Sequence, residues 1–324
     1  MTALAVVAVV ICAGAVITLI GARLIERAHH PGGRFIDIDG FRQHVIELGS
    51  RAASSGNPAV VLLHGAGSNL QDMNLALGKR LDAKHYVVLV DRPGFGFSAR
   101  DRKRGGSPAY QAAVLRKLLD RLAIDRAIIV GHSWGGTLAL TFALEFPQRA
   151  AGLVLIAPPT HPGLWRLTKI NALLAGPIGW LFAHTLALPL GAVFINPGCR
   201  SAFLPQAMPQ SYVKRSATAL VLRPATLLAN WADVGGLDSF LAQQADRYRS
   251  LAVPTIAIAG DQDLLVPPEK HAMKLAAAVS VAEVELLPGF GHMLHHAAAD
   301  RVAAAVETLA RSAPAKPQQM ATAE

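Results

Sequence analysis

Cysteine is nearly absent: of 324 residues only Cys12 and Cys199 carry a thiol, and they lie far apart in the chain. A disulfide framework is excluded in practice, and so is any metal site of the C-x-x-C type. A reducing or redox-indifferent compartment suits such a chain. Charge is also scarce, at 16% of residues against 52% apolar ones, which is low for a soluble protein. What charge there is leans basic, with a net +9. The basic residues are dispersed, however, and the one dense cluster, Arg100 to Arg104, has no aromatic side chains interleaved. Nucleic acid is therefore not an expected partner, and an anionic membrane surface suits the balance better. No internal repeat is visible. The length fits one large α/β domain carrying an insertion.

A basic leader is missing as well. Ala3 to Ala22 holds no charged residue, no Lys or Arg precedes it, and Arg23, Glu26 and Arg27 follow it. As a helix this run is about 30 Å long, enough to cross a bilayer. A signal peptide would begin with a positive segment, have a shorter apolar run and end at a small-residue cleavage site. The run is read as an uncleaved single-pass anchor, with a signal peptide and a buried core helix as the competing readings. The arginines after it put the remaining domain on the cytoplasmic side. Removal of the chain up to His30 is expected to release the rest into the soluble fraction.

Five parts follow: anchor and linker over residues 1–28, a first core segment over 29–159, a cap over 160–249, a second core segment over 250–312, and a disordered polar tail over 313–324. Arg34 to Ile38 and Arg42 to Leu48 alternate apolar and polar residues around Asp39-Gly40, a hairpin signature. Ala59 to Leu63, Tyr86 to Val90, Ala127 to Val130 and Leu153 to Ala157 are short apolar runs suited to strands buried on both faces. Helical patterns separate them, running to Leu81 and over Gln111 to Leu122. That alternation predicts right-handed crossovers and a mostly parallel sheet. It stops at Thr160. From there to Arg249 the spacing fits helices only, including a strongly apolar stretch, Ile170 to Ile195, interrupted by Pro177, His184 and Pro189. A pair of short helices in the cap fits this stretch best, and a second membrane span is the other reading. Alternation resumes with strand Thr255 to Ala259, helix Glu269 to Val279, strand Val281 to Leu287 and a last helix from Met293 to Leu309.

The chemistry centres on Gly131-His132-Ser133-Trp134-Gly135, which fits G-x-S-x-G between a strand and a helix. Gly131 and Gly135 let the two backbones pass closely, and Ser133 is pushed into a strained, exposed position. A serine hydroxyl needs a base, and the base needs a third group to fix its tautomer. In this context the partners follow in the order acid, then His. The loop after strand Thr255 to Ala259 offers Asp261 and Asp263. Asp263 lies deeper in the loop and is preferred, while Asp261 caps the turn. The loop after the last strand offers His292, and the glycines before it, Gly289 and Gly291, give it freedom to reach back. His295 and His296 fall on the next helix and are expected to turn away. No carboxylate or Cys completes a metal set with them, so no metal is expected. The backbone N–H groups of Trp134 and Ala66 are the expected oxyanion donors. His64 is assigned to bracing its loop and Asp91 to holding its own turn.

Taken together, His64-Gly65-Ala66-Gly67, Asp91 to Ser98, Gly131 to Gly136, Gly260 to Pro267 and Gly289-Phe290-Gly291-His292 resemble the α/β-hydrolase fold family in its cap-containing form. The resemblance runs from about Arg34 to Arg311. It implies an eight-stranded sheet with helices on both faces, a triad of Ser133, Asp263 and His292, and no cofactor. Ser133 at the elbow sets aside the dehalogenases and epoxide hydrolases of this fold, which use an aspartate there. The expected activity is hydrolysis of a small-molecule carboxylic ester with a hydrophobic acyl part. Carbon–carbon bond hydrolysis, acyl transfer and cofactor-free perhydrolysis use the same triad, and a non-catalytic binding protein on the same fold is the third reading.

Overall fold

A computed structural model describes residues 2–52 and 56–313. The polar tail expected from residue 313 therefore lies, from 314 on, outside the described residues. Eight strands form one sheet in the order β1-β2-β4-β3-β5-β6-β7-β8. β1 (Arg34–Ile38) and β2 (Phe41–Leu48) make the antiparallel hairpin expected from the sequence. Asp39 and Gly40 turn it, both at positive φ, as a two-residue loop of the twist-matching kind requires. β2 also pairs antiparallel with β4 (Val87–Val90). The remaining pairs, through β3 (Ala59–Leu63), β5 (Ala127–His132), β6 (Ala150–Ile156), β7 (Thr255–Gly260) and β8 (Ala282–Leu287), are all parallel.

The central strands are apolar throughout because both faces are covered. Val61 and Leu63 of β3 face one core layer, together with α4 (Pro108–Arg121) and α5 (Trp134–Glu145). Val60 and Leu62 face the other, together with Val302, Val306 and Leu309 of α14 (Ala299–Ser312). Period-two alternation thus sends neighbouring valines and leucines into different layers.

Several helices differ from the sequence pattern at their ends. α4 begins three residues earlier than expected, because Ser107 caps it through the Tyr110 N–H and Pro108 occupies the first turn. The helix after β3 is divided: α2 (Leu70–Met73), a π-turn over Asn74–Gly78, then α3 (Lys79–Leu81). The pattern over Glu269 to Val279 becomes a 3₁₀ turn followed by α12 (Ala272–Ala278). The last helix breaks at Ala298 into α13 (Leu294–Ala297) and α14.

Between β6 and β7 the chain is helical, in α6 (Trp165–Leu174), α7 (Pro177–Thr185), α8 (Ala187–Phe203), α9 (Tyr212–Arg215), α10 (Pro224–Gly235) and α11 (Leu237–Ala245). The apolar Ile170 to Ile195 stretch contains two helix breaks, one just before Pro177 as expected and one at Leu186 rather than at Pro189, so it runs through parts of three helices instead of a pair. Pro189 falls in the first turn of α8, where its missing N–H would have no partner anyway. α1 (Ala3–Ala28) is 26 residues long with a mean hydropathy of 2.9 over its most apolar window, and 11% of that window is buried.

Candidate active site

In the sheet, β3 lies between β4 and β5, so the chain leaves β3 in one direction and later returns on its other side. Such a switch point opens a crevice at the carboxyl ends of the strands. Both glycine-rich turns emerge there. At the end of β5, Ser133 holds φ 51° and ψ −121°, a conformation that costs a non-glycine residue about 1–3 kcal/mol. Its N–H donates to Ile156 O at 2.8 Å, and its carbonyl accepts the Gly136 N–H at 2.7 Å. A Cβ on Gly131 would strike the Gly135 carbonyl, and one on Gly135 would strike Leu63 O. The two glycines are therefore what allow strand, turn and helix to pass so closely.

His292 and Asp263 come from the loops after β8 and β7. Asp263 Oδ2 meets His292 Nδ1 at 2.7 Å. Its other oxygen accepts the Leu265 and Val266 N–H groups, each at 2.9 Å. The carboxylate is fixed on three sides, and a proton on Nδ1 leaves the Nε2 lone pair free. Ser133 and His292 line one cavity of about 310 Å³. Among the described residues, Ser133 Oγ makes no hydrogen bond to His292. In resting hydrolytic sites this contact is often long and tightens only when substrate is bound. Asp261 instead accepts the Gly289 N–H at 2.7 Å, so its side chain ties its loop to the loop after β8 rather than capping its own turn.

Ala66 and Trp134 flank the same cavity. Trp134 opens α5, so its N–H has no acceptor one turn earlier in the helix. The neighbouring Gly67 N–H is taken by Asn230 Oδ1 of α10 at 2.6 Å. His64 braces its loop: Nδ1 lies 2.8 Å from Gly65 O, and Nε2 accepts the Arg92 N–H at 3.1 Å. Asp91 accepts the Phe97 and Leu70 N–H groups and pairs with His44 Nδ1, so it ties its own turn to β2 as well.

Residues 58–299 match the alpha/beta hydrolase fold family. The chain belongs to that family.

Among the relatives of this α/β-hydrolase-fold protein is an uncharacterised protein of Mycobacterium bovis, 30% identical over 281 residues, which cover 82% of this chain and 77% of that one. A 2-hydroxy-6-oxo-6-phenylhexa-2,4-dienoate hydrolase of Comamonas testosteroni is 35% identical over 128 residues, 38% of this chain and 42% of that one. A thermophilic esterase from Thermogutta terrifontis superposes with a TM-score of 0.66 at 20% identity, over 86% of this chain and 98% of that one. At that identity it speaks for the fold.

One expectation about the site is overturned: His295 and His296 sit on the helix after His292 and neither lines the Ser133 cavity, but a carboxylate does reach them. Asp72 of α2 lies 3.1 Å from His295 Nε2 and 2.7 Å from His296 Nε2, and it accepts the Tyr212 hydroxyl at 2.8 Å. The three ligand atoms lie within 4.8 Å of one another. Asp72 is remote in sequence from both histidines, so spacing along the chain carried no sign of it. The short hydrogen bonds already satisfy the buried carboxylate. Its pKa is held well below the usual range: burial alone would raise it, but the two histidines outweigh that.

Arg92 is a second residue that the sequence reading left without a role. It is fully buried between the loops at the carboxyl edge of the sheet and the helical insertion. It donates to the His64 and Gly65 carbonyls at 3.1 and 3.2 Å, and to Asp233 Oδ2 of α10 at 2.6 Å. Arg100 takes the other Asp233 oxygen at 2.6 Å. The Arg92 guanidinium stacks 4.0 Å from the Trp134 ring centre, whose indole N–H donates to Asp233 O. Burial lowers the Arg92 pKa to about 10 against the pull of Asp233. An arginine two residues after an apolar strand was the one available signal.

Five buried histidines make the fold sensitive to acid. Burial depresses His64 to about 3 and His271 to about 4, and it also lowers His132, His161 and His295. A depressed folded pKa means the unfolded chain binds the proton first, near pH 6.5. Each group's contribution is therefore intact above pH 6.5 and shrinks as pH falls towards its folded value, by up to about 1.4 kcal/mol per pH unit. His44 acts in the opposite sense. Burial pulls it down, but Asp91 lifts it to a net raised value, so its contribution is full below pH 6.5 and fades on the alkaline side. Five groups outweigh one. Thermal melts from pH 7 to pH 4.5 are expected to show Tm falling steeply below 6.5, and a flat profile across that interval would contradict this account.

Proposed function

We propose that this protein is a serine hydrolase of carboxylic esters with an apolar acyl part. His292 takes the proton of Ser133 as its oxygen attacks the acyl carbon, and Asp263 steadies the imidazolium that results. The N–H groups of Trp134 and Ala66 meet the negative oxygen of the tetrahedral intermediate. The alcohol leaves with the proton from His292, and water then releases the acid from Ser133. Membrane attachment through α1 accompanies this reading, with substrates of low water solubility.

The observation that carries the substrate preference is the cavity wall. It is built mainly from Leu164, Leu167, Phe203, Val234, Leu237 and Val266. Among the described residues no Lys or Arg lines it, and its one charged side chain is Asp72. An anionic substrate would lose hydration there without gaining a cation. Carbon–carbon bond hydrolysis, which the match to the Comamonas dienoate hydrolase favours, is the second reading, and the missing cation weighs against such an acid.

A fluorophosphonate probe is expected to label Ser133, identified by mass of the modified peptide. With p-nitrophenyl esters, kcat/KM should rise from acetate to the medium-chain esters, whereas a half-ester bearing a free carboxylate should be turned over at least tenfold more slowly. Absence of labelling in folded protein, or preference for the anionic ester, would sink the proposal.

A further inference from the structure

α1 does not stand apart from the rest of the molecule. Thr18 donates its hydroxyl to Thr185 O at 2.7 Å. A Cβ on Gly14 would come within 2.9 Å of the same carbonyl, and one on Gly21 within 2.7 Å of the Leu188 side chain. Small residues along one face of α1 thus seat the junction of α7 and α8. Glu26 adds an ion pair to Arg223 at 3.1 Å. Gly14 lies about 12 Å along the helix from Ala22, where the uncharged run ends. If lipid surrounds that run, the tip of the α7–α8 pair lies well inside the hydrocarbon too, because it touches α1 there.

The pair is built for such a place. α7 and α8 meet at 80°. No Lys, Arg, Asp or Glu occurs between Pro177 and Cys199. Ile178, Trp180, Val193 and Phe194 are all more than half exposed. In helices the backbone groups are satisfied internally, as hydrocarbon demands. α6 continues the apolar face with Trp165, Ile170 and Leu173 exposed, and Arg166 and Lys169 stand over the Trp165 ring. Aromatic rings beside basic groups suit the headgroup level of a bilayer. The Ser133 cavity reaches this face. Its walls include Leu167 of α6 and Cys199, Ala202 and Phe203 of α8, and Leu167 and Leu265 both line it and are about half exposed, which marks its rim.

We infer that the helical insertion is seated in the bilayer beside α1, with α7 and α8 as a wedge that does not cross, and that the Ser133 cavity takes lipophilic substrate from the lipid itself. This rests on the anchored-hydrolase reading above and goes beyond it: the domain is not a head on a stalk. It also revises the expectation that loss of the first thirty residues frees the remainder, since the wedge retains its own hold on the membrane.

The test uses the full chain in vesicles of phosphatidylcholine with phosphatidylglycerol, with nitroxide labels at one site at a time. Native Cys12 is exposed on α1 and, with Cys199→Ser, reports the anchor. Val193→Cys or Ile178→Cys, with Cys12→Ser and Cys199→Ser, reports the wedge. Both wedge labels are expected to collide with oxygen several-fold more often than with a water-soluble nickel chelate, as the Cys12 label does. A wedge label open to the nickel reagent while Cys12 stays in lipid overturns the inference and leaves the anchor standing. All labels open to nickel would remove the anchor and the inference together. Wedge labels shielded from both reagents would mean a second copy of the chain covers the face, which also overturns it. With a long-chain ester held at fixed total concentration, the rate should follow its mole fraction in the vesicle, and a rate indifferent to added lipid would refute loading from the membrane.

Discussion

Alanine at position 133 is expected to lower kcat on a p-nitrophenyl ester by about 10⁵–10⁶-fold, the scale on which loss of a serine nucleophile is felt in triads. The residual rate would come from the oxyanion donors and from substrate binding, both of which remain. KM should change little, because the hydroxyl contributes to the bond-making step rather than to ground-state binding. Glycine at the same position separates chemistry from folding. Ser133 holds φ 51°, which glycine adopts freely and alanine does not. Ser133→Gly is therefore expected to be as inactive as Ser133→Ala while melting higher by about 1 kcal/mol equivalent. A Ser133→Ala enzyme that kept a tenth of its activity would remove Ser133 from the chemistry, whatever the rest of the site looks like.

The second large effect is expected in stability. Asp233 lies between the Arg92 and Arg100 guanidinium groups, at 2.6 Å from each, and its side chain and that of Arg92 are fully buried. Asp233→Asn keeps the volume and removes the charge, which leaves Arg92 and Arg100 close together in low dielectric without compensation. Breaking a buried pair in this way typically costs about 3–5 kcal/mol. At this chain length that corresponds to a Tm lower by about 10 °C. A circular-dichroism melt of Asp233→Asn beside the native chain measures it. A loss below about 1 kcal/mol would mean that water reaches the cluster and that its burial has been misjudged.

These two residues also mark what could and could not be read from the chain alone. Ser133 sits in a five-residue pattern whose spacing encodes its own backbone strain, so the elbow was legible locally. The strands were legible for a related reason: burial on both faces leaves runs such as Ala59 to Leu63 apolar at every position. Asp263 was preferred over Asp261 by its depth in one loop, again a local argument. Asp233 and Asp72 had no such mark. Each is an ordinary acid on a helix, and its partner lies far away in sequence, on an element whose position depends on the whole fold. Their importance comes from burial, and burial of a helix face in an insertion without strand periodicity is not written in any short window. The expectation that His295 and His296 have no carboxylate failed for that reason. The helix ends at Ser107 and Leu186 moved for a smaller one: caps and first-turn prolines act over two or three residues, below the resolution of an apolar pattern.

The contact between the Gly67 N–H and Asn230 Oδ1, taken with the Arg92–Asp233 pair, has a practical consequence for protein engineers. Substrate range in proteins of this kind invites alteration by exchanging the variable helical segment for one from another enzyme. Here a graft between residues 160 and 249 that lacked an amide and an acid at the positions of Asn230 and Asp233 would disturb the loop beside Ala66 and strand two cations beneath it. Chimeras that transplant those two side chains along with the new segment should fold where simple swaps do not.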